Sequence, residues 1–274
     1  MKICVIGIGM VGSQVKAWFK DALTYDTNKQ SNTWEECLGA DCFFVCVPTP
    51  YQKNKEYDLS YLEDAIAKIP DGKVVVIKST VNPGTTDYFQ NKYPKKKFLF
   101  NPEFLTELSA KEDFTHPDMQ ILGVGKESYD LATEIILMLP PAPVMRVVSL
   151  IDAEWVKKIR NSFYAMKVVF FNQIYDIISK TEPSDYETIR SIVVEDPRIG
   201  NSHSFIFHKG YRGYGGACLP KDTNSLIDFA EKQGTPSDLL EKVKEINQRL
   251  INEKHTSNRP SRLHRTASMQ KAGR

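Results

Sequence analysis

One of five cysteines stands apart. Cys218 lies in Gly213-Tyr214-Gly215-Gly216-Ala217-Cys218-Leu219-Pro220-Lys221-Asp222, where glycines lead into a predicted helix. Glycines there let backbone N–H groups and a ligand approach the sulfur closely. A cysteine near a helix N-terminus with Lys221 beside it is expected to favour the thiolate, its nucleophilic form. Asp222 follows four residues on, one turn behind the sulfur. A structural cysteine after a glycine turn is the plainer alternative, and the polar neighbours argue against it. Cys4, Cys42 and Cys46 lie in apolar, strand-like runs and read as small buried hydrophobes. Cys37 precedes one of those runs and carries no signal. No Cys or His cluster has metal-ligand spacing, so no metal is expected.

Four more segments carry groups able to do chemistry. Val47-Pro48-Thr49-Pro50 and Lys78-Ser79-Thr80 each end an apolar run, and the carboxyl ends of strands in an open parallel sheet line the ligand crevice. Asn101-Pro102-Glu103-Phe104-Leu105-Thr106-Glu107 begins like a capped helix, Asn before Pro. If helical, it sets Glu103 and Glu107 on one face. Lys157 and Asn161, also four apart, share a face of a long predicted helix. A lysine there is costly unless it is paired, is used, or snorkels to the surface.

Gly7-Ile8-Gly9-Met10-Val11-Gly12 is a GxGxxG between a first strand and a first helix. The first glycine permits the turn, the second lets backbone approach a pyrophosphate, and the third lets helix and strand pack. The helix N-terminus adds N–H groups and positive dipole. Asp26 comes at the end of the next predicted strand, where a ribose hydroxyl ligand belongs. An acid there would repel a 2′-phosphate, so NAD is expected over NADP; Lys29 nearby softens that preference.

The elements that must position these groups follow from periodicity. Up to about residue 147, the runs KICVIGI, ALTYD, CFFVCVPT, KVVVIKST, KKFLF, MQILGVG and VMRVVS alternate with amphipathic stretches such as 59–69 and 129–139. That pattern predicts an α/β fold whose N-terminal part is a doubly wound, parallel sheet covered on both faces. From Ile151 to Lys180 no Pro or Gly interrupts, and apolar residues lie on nearly every side. A helix of about 30 residues, about 45 Å long, is predicted there. It needs other helices or a second copy of itself to cover it. Further helices are predicted near 186–195, 222–233 and 237–253. The expected domains are 1–149, dinucleotide-binding; 150–253, helical; and 254–274, a basic, disordered tail.

The 274 residues are 41% hydrophobic and 26% charged, with a net charge of +2. This is ordinary soluble composition. The charge is too small to argue for nucleic acid, and no apolar run is long enough to span a bilayer. Five cysteines without a framework fit a reducing cytosol.

Taken in order, GIGMVG, VPTP, KSTVNPGTT, NPEFLTE, AEWVKKIRN, DPRIG and GYGGACLPKD resemble the UDP-glucose/GDP-mannose dehydrogenase family over about residues 1–250. GGACLPKD is the most specific piece. The β-hydroxyacid dehydrogenases share a Rossmann domain and a helix with Lys-x-x-x-Asn, but lack the cysteine motif.

The resemblance implies an NAD-dependent, two-step oxidation of a sugar nucleotide's primary alcohol to a uronic acid. UDP-glucose leads among the donors, with UDP-N-acetyl sugars and GDP-mannose open. It implies that Cys218 forms a thiohemiacetal and then a thioester. Lys157 and Asn161 stabilise the oxyanion, Asp222 and Thr80 hold a water, and Glu103 is general base for hydrolysis. The cofactor-binding set becomes Gly7, Gly9, Met10, Val11, Gly12, Asp26, Lys29, Pro48, Thr49, Ser79, Thr80 and Glu107. The substrate-binding set is Phe104, Leu105, Glu107, Lys157, Asn161, Arg198, Tyr214 and Gly215, with Arg198 reaching the substrate of a neighbouring subunit. It also implies a homodimer through the long helix.

Two departures qualify this. Only some fifteen residues separate Asp26 from CFFVCVPTP, where the family has a longer excursion. The family also carries a third domain, a second α/β unit for the donor nucleotide, and here the helices are followed only by the basic tail. Three readings stay open: an active dehydrogenase, compact or completed by another chain; a truncated, NAD-binding product of poor activity; and a regulatory dimer module.

Overall fold

The computed structural model describes residues 1–52, 56–106, 108–208 and 210–253. The predicted basic tail and Glu107 lie outside the described residues. In chain order the elements are β1 (Ile3–Ile6), α1 (Met10–Trp18), β2 (Leu23–Tyr25), α2 (Trp34–Cys37), β3 (Cys42–Val45), β4 (Tyr51–Gln52), β5 (Glu56–Tyr57), α3 (Ser60–Lys68), β6 (Val74–Ile77), α4 (Thr85–Lys92) and β7 (Lys97–Phe100). There follow α5 (Ala110–Thr115), β8 (Met119–Val124), a 3-10 turn (Lys126–Leu131), α6 (Ala132–Met138), β9 (Val144–Ser149), α7 (Leu150–Ile178), α8 (Tyr186–Val193), α9 (Leu219–Lys232) and α10 (Asp238–Asn252).

The main sheet has the order β2-β1-β3-β6-β7-β8-β9. β1, β3 and β6 are buried at every position, as continuous apolar runs must be when both faces are covered. Alternate residues feed two cores. Cys4, Ile6, Phe43, Val45, Val75, Ile77, Phe98 and Phe100 pack with Leu62, Ile66 and Phe89. Ile3, Val5, Cys42, Phe44, Val74, Val76 and Leu99 pack with Val15, Phe114 and Ile135. Each buried Phe or Ile contributes about 1.5–3 kcal/mol relative to exposure.

The sheet is not wholly parallel, as the run pattern had implied. β8 runs antiparallel to β7, and β9 parallel to β8. Among the described residues, the link from β7 to β8 contains only the six-residue α5. Such a helix is about 9 Å long, short of the roughly 13–20 Å needed to carry the chain back along a strand. The reduced stretch after Asp26 holds only the four-residue α2, capped reciprocally by Thr33 and Glu36.

By contact, the chain divides into two compact units. One comprises Met1–Phe163 with Ala217–Ser237, the other Tyr164–Gly216 with the segment from Asp238 onward. By contact, the first unit extends into α7, and α9 groups with the sheet. The reason lies in the first turns of α7. Leu150 and Ala153 are buried, and a Cβ on Gly123 of β8 would lie 2.8 Å from the Ala153 Cβ, so only glycine admits the helix this closely. α7 has 29 residues, about 44 Å of helix.

Within the second unit, the Arg212 guanidinium binds Asn172 and forms ion pairs with Asp176 and Glu253. No helix among the described residues is long and apolar enough to cross a membrane. All five cysteines are free, Cys46 and Cys218 half-buried and the others buried.

Candidate active site

Cys218 is the residue from which α9 starts, with Pro220 in its first turn. The Asp222 amide donates to the Cys218 carbonyl at 2.9 Å, which fixes the expected one-turn spacing. Asp222 is fully buried. Its Oδ1 accepts the Tyr57 hydroxyl at 2.6 Å and its Oδ2 accepts Asn161 Nδ2 at 2.5 Å. Lys221 Nζ lies 3.4 Å from Oδ1.

Lys157 does not snorkel. Its Nζ donates to both Oε1 and the backbone carbonyl of Glu103, each at 2.5 Å, and Leu105 N–H donates to the other carboxylate oxygen at 2.7 Å. Lys157 and Asn161 thus face one way, one toward Glu103 and the other toward Asp222. All of these groups lie in the first compact unit.

Charge orders their protonation. Burial pushes Glu103 up, but the Lys157 ammonium, its hydrogen bonds and the Leu105 N–H outweigh it and hold the carboxyl below its usual range. Asp222 is likewise pushed up by burial and held down by Lys221, Lys157, Lys158 and the Tyr57 hydroxyl. Lys157 is raised, because Glu103 and Asp222 outweigh its burial. Cys218 departs from expectation: burial, with Glu103 and Asp222, pushes its thiol up against the pull of Lys157 and Lys221. Lys221 alone does not decide its state.

Asn101 is not a helix cap, and residues 101–106 are not helical. Its Nδ2 donates to the Ile121 carbonyl at 2.7 Å, and its Oδ1 accepts Lys78 Nζ at 2.5 Å. The buried amide is spent bridging β7 to β8, and Glu103 is presented from a loop without regular secondary structure. Lys78 is buried and lowered to about 8 by that burial. Thr49 Oγ1 donates to the Thr80 carbonyl and Ser79 Oγ to the Val47 carbonyl, each at 2.6 Å. These bonds tie the ends of β3 and β6 together below Pro48, which is exposed. Phe104 and Leu105 are half-buried, and the Arg160 guanidinium lies 4.7 Å from the Phe104 ring centre.

Sequence reasoning missed Tyr57, Lys158, Ser225 and Glu154. Lys158 is fully buried and donates to the Tyr57 hydroxyl at 2.6 Å and to Ser225 Oγ at 2.8 Å. Glu154 is fully buried, accepting Gly84 N–H at 2.5 Å and the N–H and hydroxyl of Thr86 at 2.8 and 2.6 Å at the start of α4. The signal was available: three charged residues, at 154, 157 and 158, fall within five positions of a largely apolar helix, where burial would demand partners.

The glycine loop fits a dinucleotide. A Cβ on Gly12 would stand 1.9 Å from the Gly7 carbonyl oxygen, while one on Gly9 would meet nothing within 4 Å. Gly12 is thus needed for packing, and Gly9 leaves open space beside the N-terminus of α1, where Met10 is exposed and Val11 half-buried. Gly7 has φ +86, which favours glycine. Asp26 Oδ2 accepts the Ile8 N–H at 2.6 Å. Burial is outweighed there by the N–H groups of Ile8 and Asn28 and by Lys29, so the carboxyl is lowered and ionised. Lys29 Nζ donates to the Ile8 carbonyl.

The remaining expected substrate residues belong to the second unit. Arg198 is exposed and paired through Nε and Nη2 with Asp196 at 2.9 and 2.6 Å. Tyr214 is buried, its N–H donating to Asn247 Oδ1 at 2.7 Å. A Cβ on Gly215 would press on the Tyr211 hydroxyl.

A doubly wound sheet with a glycine-rich first turn, carrying Cys218, Lys157, Glu103 and Asp222 in the same unit, defines the class of dinucleotide-binding α/β folds. Residues 19–137 match the NAD binding domain of the UDP-glucose/GDP-mannose dehydrogenase family, and residues 151–249 match its central domain. The chain belongs to this family, and its cofactor is NAD. It is 34% identical over 242 residues to the UDP-glucose 6-dehydrogenase of Rickettsia bellii, covering 84% of this chain and 55% of that protein. With the UDP-glucose 6-dehydrogenase TuaD of Bacillus subtilis, identity is 35% over 77% of this chain and 47% of that protein. The structure of a UDP-glucose dehydrogenase from Pyrobaculum islandicum superposes with TM-score 0.78 at 28% identity, covering 90% of this chain and 68% of that one. The chain spans about half the length of the relatives it matches.

Proposed function

We propose that the protein is an NAD-dependent nucleotide-sugar 6-dehydrogenase that oxidises the primary alcohol of UDP-glucose, or a related sugar nucleotide, to the uronic acid through Cys218. The observation that carries this reading is the pair of links from one face of α7, Lys157 to Glu103 and Asn161 to Asp222, in the same unit as the cysteine.

The Gly7–Gly12 loop and Asp26 would hold NAD, with Lys29, Pro48, Thr49, Ser79, Thr80 and Glu107 around it; NAD supplies the hydride acceptor. Cys218 adds through sulfur to the aldehyde carbon formed in the first oxidation. After the second oxidation it carries the acyl group as a thioester until water releases the carboxylate and restores the thiol. Lys157 and Asn161 donate to the oxyanion that develops on the carbonyl oxygen. Asp222 and Thr80 hold the water that moves protons. Glu103 takes a proton from the hydrolytic water once substrate draws Lys157 away from it. Phe104, Leu105, Glu107, Tyr214 and Gly215 are proposed sugar-nucleotide contacts. Arg198 is proposed to exchange Asp196 for a substrate held by a neighbouring copy.

That copy is proposed to pair along α7, where Phe163, Phe170 and Ile177 recur every seventh residue and are 51%, 55% and 63% exposed. The reducing cytosol is proposed as the compartment.

The test mixes protein, NAD and a panel of UDP-glucose, UDP-N-acetyl sugars and GDP-mannose, and counts NADH per uronate. Two NADH per product from one donor, abolished by Cys218→Ala, is expected. NAD binding without NADH from any donor would remove this reading in favour of a cofactor-binding or regulatory module.

A further inference from the structure

Lys78 is a buried ammonium that the proposed reaction does not use. It follows the last residue of β6, is 4% exposed, and donates to two oxygens of one residue, Asn101 Oδ1 at 2.5 Å and the Asn101 carbonyl at 3.4 Å. The Phe114 ring centre lies 5.7 Å from its Nζ. Among the described residues no carboxylate bonds to it directly. Bonding an amide needs only a neutral donor, and an ammonium is far harder to bury there. The charge itself, beyond the hydrogen bond, therefore calls for a use.

Asn101 connects that charge to the site. It is fully buried and held from both sides: its N–H donates to the Ile77 carbonyl at 2.9 Å, and its Nδ2 donates to the Ile121 carbonyl at 2.7 Å and to Gln120 Oε1 at 3.3 Å. Glu103 stands two residues further on, beyond Pro102, whose ring restricts its own backbone and that of Asn101. The titratable groups facing Glu103 are Lys157 from α7, Lys78 from the end of β6, Cys46 after β3 and Cys218 at the head of α9. Lys78 in turn faces Cys46, Glu103 and Lys157. Both thiols are raised and stay neutral at pH 7, Cys46 at about 12. The two ammonium groups therefore share one carboxylate, and Lys157 also faces Asp222. Lys157 is the one expected to turn to substrate. Lys78 cannot follow it, because its acceptors belong to a residue fixed to two strands.

We propose that Lys78 is a positioning residue for Glu103: it seats the Glu103 loop through Asn101 and remains as the cation near the carboxylate when Lys157 turns to the substrate. The second clause rests on the dehydrogenase reading above; the relation between Lys78 and Glu103 does not. Glu103 is 8% exposed. With Lys157 drawn away, a carboxylate so buried, bonded only to the Leu105 N–H, would take up a proton and no longer accept one from water. A second, immobile cation keeps it ionised for thioester hydrolysis.

The test titrates Glu103 by carbon NMR of the full chain labelled at glutamate carboxyls, its signal assigned with Glu103→Gln, beside NADH formation with the sugar-nucleotide panel. Lys78→Gln keeps a donor for Asn101 and removes the charge; Lys78→Met removes both. In each, the Glu103 titration should move to higher pH by about half a unit. With an accepted donor, both variants should release two NADH per Cys218 in a burst and then turn over about tenfold more slowly, with the acyl group held on Cys218 by intact mass. Lys78→Gln that titrates or turns over like the unaltered protein would reduce Lys78 to a hydrogen-bond donor and overturn the proposal. If the variants do not fold, Lys78 itself decides. Burial lowers it only to about 8, so it should be charged at pH 7; a neutral-amine signal at pH 6 in the unaltered protein would overturn the proposal. A shifted Glu103 titration with no NADH from any donor, even in the unaltered protein, would sink the dehydrogenase reading and leave the relation of Lys78 to Glu103 standing. NADH formation with an unshifted titration would do the reverse.

Discussion

Lys157 and Glu103, 54 positions apart, form an ion pair of 2.5 Å in which the two side chains are only 5% and 6% exposed. Each makes the burial of the other tolerable, and neither has solvent to fall back on. Removing one partner from a buried pair leaves an uncompensated charge. Lys157→Met and Glu103→Leu are each expected to cost about 3–5 kcal/mol, and the double variant less than the sum. Urea unfolding of all four proteins measures the coupling. Additive losses would mean that the pair is not linked in solution.

Glu154 introduces a pH dependence of its own. Burial, opposed only in part by Thr86 and Gly84, pushes its carboxyl from 4.5 to about 7. Between those values the folded chain keeps a proton that the unfolded chain has lost. Stability from this group therefore falls as pH rises from 4.5 to about 7 and is flat above. Glu154→Gln should weaken the pH dependence of unfolding between pH 5 and 7.5 by an amount on the order of 3 kcal/mol. Parallel curves for the two proteins would refute it.

The two glycines flanking Met10 and Val11 should separate packing from binding. Gly12→Ala drives a Cβ into the Gly7 carbonyl and is expected to lower the melting temperature strongly, as overpacking costs about 1–3 kcal/mol or more. Gly9→Ala meets no protein atom. It should melt normally yet bind NAD at least tenfold more weakly, by obstructing the pyrophosphate. Calorimetric titration beside a thermal melt reads both, and normal NAD affinity in Gly9→Ala would remove that glycine from the cofactor site.

Asp26 offers a fourth test. Its ionised carboxylate is fixed by the Ile8 N–H and would repel a 2′-phosphate. Asp26→Asn keeps the hydrogen bond in shape and removes the charge. The ratio of NADP to NAD affinity should rise about tenfold, read by competition binding. An unchanged ratio would assign cofactor choice elsewhere.

Much of this was readable from residue order. The runs around Cys4, Phe43 and Val75 became central strands because continuous apolar segments can be satisfied only between two layers. α7 followed from 30 residues without Pro or Gly. Cys218 and Asp222, one turn apart, needed only helical geometry. What escaped depended on partners distant in sequence. Asn101 reads locally as a cap, but its amide is spent on Lys78 and Ile121, and NPEFLT is not helical. The reversal of β8 turned on how little helix precedes it. Tyr57 lies in a two-residue strand with nothing local to mark it, and its role exists only because Lys158 and Asp222 arrive from 101 and 165 residues away. The thiol of Cys218 was misjudged for a similar reason: Lys221 is adjacent in sequence, whereas Glu103 is not.

The close seating of α7 on Gly123 has a consequence for how this chain can vary. From that contact outward, Ala153 meets β8, Glu154 holds the start of α4, Lys157 holds Glu103, Lys158 holds Tyr57, and Asn161 holds Asp222. Each residue reaches its partner because its angle about the helix axis is counted from one fixed origin. One residue inserted between Ser149 and Asn161 would rotate every later side chain by about 100° and advance it about 1.5 Å. Single replacements disturb one link at a time, but a change of length breaks them together. This stretch should tolerate spelling changes far better than insertions or deletions.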